Sequence, residues 1–122
     1  MKTNMGPLCQ IEIHVSDVQR SLAFYEDVFG WRAVPAEIHN YIVLEVPADS
    51  PYGVALVPTT STASLKNNLV LYFSCDNPDS CLEKVSKAGG RIRFRAKQLP
   101  GYGRVDQFED PDGQRFGLYV KT

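Results

Sequence analysis

Residues 10–31, QIEIHVSDVQRSLAFYEDVFGW, constrain this chain more than any other stretch. Ile11, Ile13 and Val15 alternate with Gln10, Glu12 and His14. That period of two marks a half-buried strand. One of its faces is apolar, and the other carries an amide, a carboxylate and an imidazole. Asp17 follows where a helix N-cap belongs, because its carboxylate can accept a free amide of the first turn. From Val18 onward Leu22, Tyr25, Val28 and Phe29 recur at helical spacing, with Gln19, Arg20, Glu26 and Asp27 mostly on the other side. Gly30 is placed to end the helix in the left-handed conformation.

The same order returns later. Residues 69–75, LVLYFSC, read as a strand, and Asp76-Asn77-Pro78 starts a helix with proline at its first position. Residues 79–87 continue it, with Leu82 and Val85 inward, and Gly89-Gly90 ends it. Asp17 and Asp76 hold equivalent places, as do Ser21 and Ser80, and Gly30 and Gly89. After the first helix come an extended segment at 32–37, a strand at 40–46 and a strand at 54–57 ended by Pro58. After the second come strands at 91–96, 104–109 and 116–120, with turns at Pro100-Gly101-Tyr102-Gly103 and Asp110-Pro111-Asp112-Gly113. The chain is thus two βαβββ modules in tandem, about 8–58 and 69–122, with a polar linker at 59–68 and a loose arm at 1–7.

A chain of 122 residues suits one compact domain with a real core. No apolar run approaches a membrane span, and a net charge of −1 without a basic cluster argues against nucleic acid as a partner. Cys9, Cys75 and Cys81 show no CxxC pair and no zinc spacing, so they read as reduced thiols of a cytoplasmic protein. The opening MKTNMGPL has no secretory h-region, which agrees with that location.

Both ends of the pattern resemble the vicinal oxygen chelate superfamily, which includes glyoxalase I, bleomycin-resistance proteins and extradiol dioxygenases. The matching residues are the strand into Val15-Ser16-Asp17, then Ser21, Phe24-Tyr25 and Phe29-Gly30-Trp31, and at the far end Phe108-Glu109-Asp110-Pro111-Asp112-Gly113 with Phe116 and Leu118. The turn Leu99-Pro100-Gly101-Tyr102-Gly103 is similar to small proteins related to lactoylglutathione lyase. The resemblance implies an α+β fold in which the two βαβββ modules form a curved, cup-shaped sheet with helices on its outer face. It also implies, for metal-dependent members, four chelating positions, which fall at Gln10, beside Ala55, at Val70 and at Gly117. Three of these offer no donor side chain, whereas a divalent ion needs several. The expectation is therefore no metal and no cofactor.

Alternation puts Gln10, Glu12 and His14 on the cup-facing side, joined by Val70, Tyr72 and Ser74, and by Arg115, Gly117 and Tyr119. Glu12 and His14 are the candidate acid–base pair, since a carboxylate beside an imidazole fixes its tautomer and supports its charged form. Gln10, Tyr72, Ser74, Arg115 and Tyr119 are candidate ligand-binding residues, with Tyr102 at the rim. The competing reading pairs Glu12 with Arg93, Arg95 or Arg115 as structure alone. Tyr25, Phe29 and Trp31 read as helix-to-sheet packing, His39 as a loop residue, and Arg91, Arg93, Arg95 and Lys97 as one solvated strand face. The function expected is a glyoxalase-like binder of a small organic molecule or a metal-independent enzyme of lyase or isomerase type. A sequestering protein for an antibiotic or aromatic compound is the alternative, and a metal-dependent lyase or dioxygenase the third. A homodimer is expected, because sheet edges invite cover.

Overall fold

The structure, a computed structural model, describes residues 5–36 and 38–121. Along the chain run β1 (Met5–Val15), α1 (Val18–Phe29), β2 (Arg32–Val34), β3 (Ile42–Glu45), β4 (Gly53–Pro58), α2 (Thr62–Lys66), β5 (Leu69–Cys75), α3 (Pro78–Lys87), β6 (Arg91–Leu99), β7 (Gly103–Glu109) and β8 (Arg115–Lys121). Residues 1–4 of the expected arm, Glu37 of the extended segment and Thr122 lie outside the described residues. The rest of that arm belongs to β1. The polar stretch 59–68 is not all linker, because it holds α2, capped by the Ser61 hydroxyl, which accepts the Ser64 N–H at 3.2 Å.

The caps explain where the two longer helices begin. Asp17 accepts the Arg20 N–H at 3.1 Å, and Gly30 closes α1 at φ 75°. In α3 the cap is Asn77 rather than Asp76: its side-chain oxygen accepts the Ser80 N–H at 3.2 Å, ahead of Pro78. Asn77 therefore stands as far past Val70 as Asp17 stands past Gln10.

The chain divides into two compact units, one being Gln10–Leu69 and the other the chain before Gln10 together with Val70 onward. In the first, β1 pairs parallel with β4, β4 antiparallel with β3, and β3 antiparallel with β2. Val15, Leu44, Val54 and Leu56 form its core, against which Val18, Leu22 and Tyr25 of α1 and Trp31 pack. Each such aliphatic contributes about 1.5–3 kcal/mol by leaving water. These residues fill the inner stripe of α1, so Val28 and Phe29, expected inside, are 61% and 53% exposed. Phe29 still stacks on Trp31, with ring centroids 4.5 Å apart.

In the second unit β5 pairs parallel with β8, β8 antiparallel with β7, and β7 antiparallel with β6. Cys75, Cys81, Leu82, Phe108 and Leu118 form a core under α3. A separate cluster of Val70, Tyr72 and Val105, with Cys9, Phe94, Leu99 and Tyr119, lies on the opposite strand face. The arginine run of β6 does not form one face. Two register shifts interrupt its pairing with β7, and Ala96 sits at φ 58°. Arg91 and Arg93 accordingly reach Glu109 at 3.1 and 3.0 Å, Arg95 reaches Asp79 of α3 at 3.2 Å, and Lys97 lies over the Phe94 ring.

The expectation of a curved, cup-shaped sheet is not met. The strand order β2-β3-β4-β1-β5-β8-β7-β6 is open, and β2 and β6 do not pair with each other. Both end strands are built as edges: β2 has three residues, and β6 is bulged and rich in arginine, features that discourage further pairing. The tandem order of elements carries no information on curvature, which depends on such local irregularities.

Candidate functional site

Strand β1 carries Gln10, Glu12 and His14 on the face opposite Ile11, Ile13 and Val15. In the parallel ladder with β4 these three stand beside Gly53, Ala55 and Val57. The neighbours are small or apolar, so the polar row has little to bond to within the sheet. Gly53 leaves room for the Gln10 amide, which would have to swing aside for a Cβ at that position. The Gln10 amide donates to the Tyr41 hydroxyl at 3.2 Å.

Glu12 and His14 are brought together. The imidazole Nε2 lies 3.4 Å from the Glu12 Oε1, and the two side chains are only 12% and 10% exposed. The approach is not a directed hydrogen bond, for both imidazole nitrogens are shielded from water and have no hydrogen-bond partner. The backbone at His14 is well held: its N–H donates to the Asn68 carbonyl at 2.8 Å, and its carbonyl accepts the Asn68 side-chain amide at 3.5 Å. A rigid strand thus presents an imidazole with unused bonding capacity beside a carboxylate. Arg93 and Arg95 do not take up Glu12, being engaged with Glu109 and Asp79.

Tyr72, Ser74, Tyr102, Arg115 and Tyr119 belong to the other unit. The Tyr72 hydroxyl accepts the Gln107 side-chain amide at 2.6 Å, fully buried. Its backbone carbonyl receives the Cys9 thiol at 3.5 Å. Burial pushes that thiol above its ordinary range, so Cys9 is not an activated nucleophile. Tyr119 donates its hydroxyl to the Tyr102 carbonyl at 2.8 Å, tying β8 to the turn before β7. Burial, helped by Cys9 and Tyr102 nearby, raises the Tyr119 phenol and keeps it protonated for that bond. Tyr102 is 37% exposed, Arg115 is buried, and Ser74 backs onto Gly6, where a Cβ would meet its hydroxyl. A groove of about 600 Å³ also runs along α3 past Asp79, Ser80, Ile92 and Arg95. Its charged groups are already engaged, Asp79 by Arg95 and Arg104 and Glu83 by Lys87.

The four positions implied for a metal do not fit one. Gln10 is a single amide, and Ala55 and Val70 are apolar and fully buried. The space over Gly117 is taken by the Tyr72 ring. No group of three or more His, Cys, Asp or Glu among the described residues could hold a metal ion. A divalent cation would find too few oxygen or nitrogen donors at these positions to replace its water shell.

Tyr41, Gly53 and Gln107 were not legible as parts of these arrangements from the sequence. Their roles follow from strand register, which places Gly53 beside Gln10 and Gln107 beside Gly117. The glycine in VPADSPYGV and the lone glutamine within an otherwise charged and apolar strand were the available signals.

Over residues 8–118 the chain matches the family described as the Glyoxalase/Bleomycin resistance protein/Dioxygenase superfamily, and it belongs to that superfamily. Among curated proteins it is similar to anthracycline biosynthesis protein DnrV of Streptomyces peucetius, 27% identical over 86% of this chain and 43% of that protein. It is also similar to lactoylglutathione lyase of Oryza sativa subsp. japonica, 29% identical over 92% of this chain and 43% of that protein. The chain spans 43% of the length of the curated relatives it matches. In fold it is similar to methylmalonyl-CoA epimerase from Mycobacterium tuberculosis, with a TM-score of 0.74 and 18% identity over 100% of this chain and 92% of that one. No helix among the described residues is long and apolar enough to cross a membrane.

Proposed function

We propose that the chain binds a small organic molecule against the Gln10, Glu12 and His14 row, and that Glu12 and His14 move a proton on it without a metal ion. The observation that carries this reading is the His14 imidazole, shielded from water with both nitrogens unbonded and a carboxylate 3.4 Å away. A buried polar group without a partner costs about 1–3 kcal/mol, and a ligand's polar atom at either nitrogen removes that cost. Glu12 then stabilises the imidazolium formed when His14 takes the proton. Gln10 supplies an amide to orient the ligand. Transfer of one proton suits a lyase or isomerase type of reaction, and relatives named as a lyase and an epimerase support that class.

The second reading is a sequestering protein for an antibiotic or aromatic compound. It is favoured by the relative named for anthracycline biosynthesis and by the aromatic cluster of Tyr72, Phe94 and Tyr119, where Ser74, Tyr102 and Arg115 would add polar contacts. Both readings place the protein in the cytoplasm, on its free thiols. They keep two modules, about 8–58 and 69–122, as its working parts.

The test is an untargeted metabolite pull-down read by mass spectrometry, with an anthracycline as the first defined probe, followed by titration of the ligand recovered. Binding or turnover lost in His14→Ala and Glu12→Gln, and indifferent to chelator, supports the first reading. Tight binding without turnover that depends on Tyr72 and Tyr119 supports the second. Full activity in both Glu12 and His14 variants overturns the assignment of the pair.

A further inference from the structure

Cys75 and Cys81 meet in the core under α3. Cys75 ends β5, and Cys81 stands in the first turn of α3, where its N–H donates to the Asn77 carbonyl at 3.2 Å. Both are free thiols, 5% and 8% exposed, and their side chains are hydrogen-bonded to each other. Met5, the first residue of β1, is half-buried and packs against the same cluster. β1 and β5 are neighbours in the sheet, and Gly6 lies against Ser74, so Met5 and Cys75 flank one contact. All three residues belong to one compact unit. Three sulfur-bearing side chains thus gather where β1 begins and β5 ends, with Leu82, Phe108 and Leu118 as hydrocarbon walls. None of them belongs to the row of Gln10, Glu12 and His14 or to the four chelating positions.

Thiols and a thioether are soft donors, which select thiophilic ions over calcium or magnesium. We propose that Cys75, Cys81 and Met5 form a binding site for such an ion, Cu(I), held by sulfur alone in dry surroundings. Each thiol loses its proton to solvent as its Sγ–Cu bond forms. Two protons leave, one cation enters, no electron moves, and a bis-thiolate with one negative charge remains. Lys84 and the positive end of the α3 dipole act on Cys81 to offset that charge, and the opposing Asp106 carboxylate is already paired with Arg104. The Met5 thioether adds no charge, and its partial exposure gives the ion a way in. Burial, with Cys75 beside it, pushes the Cys81 thiol up. A protonated thiol is slow to oxidise, whereas a soft ion displaces the proton, so the pair suits capture of an ion better than a disulfide.

The test is an anaerobic titration of the reduced whole chain with Cu(I), in competition with a chromophoric Cu(I) chelator. One equivalent is expected to bind, with a thiolate-to-copper charge-transfer band in the ultraviolet. Cys75→Ala and Cys81→Ala are each expected to lower the affinity roughly hundredfold or more, because each removes a thiolate. Met5→Leu, a swap of similar volume, is expected to lower it about tenfold by removing the thioether alone. Cys9→Ala is expected to leave it unchanged, since that thiol packs in the cluster on the opposite strand face and bonds the Tyr72 carbonyl. Copper X-ray absorption on the unaltered chain depends on no variant folding: a first shell of sulfur is expected, and nitrogen or oxygen in its place overturns the proposal. So does a chain that leaves Cu(I) with the chelator, or full affinity in any of the Cys75, Cys81 and Met5 variants.

Discussion

The ring of Tyr72 lies where any side chain at Gly117 would project, and this pair fills a position that chelating relatives would need for a ligand atom. The two residues are neighbours in the parallel ladder of β5 and β8. Gln107, beside Gly117 on β7, completes the arrangement by holding the Tyr72 hydroxyl. Gly117→Ala is therefore expected to destabilise the protein by about 1–3 kcal/mol, the usual cost of overpacking a filled site. Combining it with Tyr72→Ala should cost less than the sum of the two, because each relieves the same clash. Urea denaturation of the single and double variants measures this, and strict additivity would count against the contact.

Asp106 is fully buried and satisfied by three groups. It accepts the Ala96 N–H at 2.7 Å and the Arg104 Nη2 and Nε at 2.9 and 3.2 Å. The Ala96 bond holds the bulge of β6, where alanine adopts a left-handed conformation that costs a residue with a Cβ about 1–2 kcal/mol. Ala96→Gly is expected to raise stability by about 1 kcal/mol, since glycine adopts this conformation freely but loses more chain entropy. Asp106→Ala is expected to lower it by about 1–3 kcal/mol, because the Ala96 amide loses its acceptor while Arg104 keeps its bonds to Asp79. Thermal melts of the two variants moving in the same direction would refute this account of the bulge.

Acid stability should follow Asp79 and Glu109. Hydrogen bonds from Arg104, then Arg95, hold the Asp79 carboxyl below its usual range, and bonds from Arg93, then Arg91, do the same for Glu109. Both folded values lie below the unfolded ones. Each group therefore contributes stability above its unfolded pKa, about 4, and loses it as pH falls through the lowered value. The melting temperature should fall below about pH 4, and slightly less in Asp79→Asn and Glu109→Gln, since solvent screens pairs as exposed as that of Asp79. Equal slopes in all three proteins would show that these pairs do not govern acid unfolding.

Periodicity and capping made the element order legible. Asp17 and Gly30 bracket α1, and β5 begins and ends at the residues read from LVLYFSC. Local chemistry with two equivalent solutions was harder. Asp76 and Asn77 can both cap a helix, and Pro78 at the first position selects Asn77. The α2 helix lacks an apolar stripe and rests on one Ser61 cap, so no period announces it. The split of the β6 arginines depends on Ala96 taking a conformation that alanine rarely adopts, stabilised from another strand by Asp106. The closeness of Glu12 and His14 followed from alternation alone. The unbonded state of the imidazole did not, since it depends on what β4 places beside it, namely Ala55 and Val57.

That imbalance at His14 leads to a prediction in which stability and function move apart. The imidazole makes no hydrogen bond, so its polar nitrogens weaken the fold rather than support it. Replacing the ring by one of similar shape without nitrogens, in His14→Phe, gives up only the 3.4 Å approach to Glu12 and removes the cost of shielding two polar atoms. The melting temperature is expected to stay level or rise, because replacing an unsatisfied buried group by an apolar one is neutral or stabilising. If Glu12 and His14 serve a ligand, the same variant must lose binding or turnover, since the removed nitrogens are the atoms that would meet it. Glu12→Gln offers the complementary case, keeping shape while removing the charge that would stabilise an imidazolium. Stability gained with function lost is the pattern of a site kept at the expense of the fold. A melt and a titration on His14→Phe decide the matter: a clear fall in melting temperature would make the histidine a structural residue, and unchanged binding would remove it from the site.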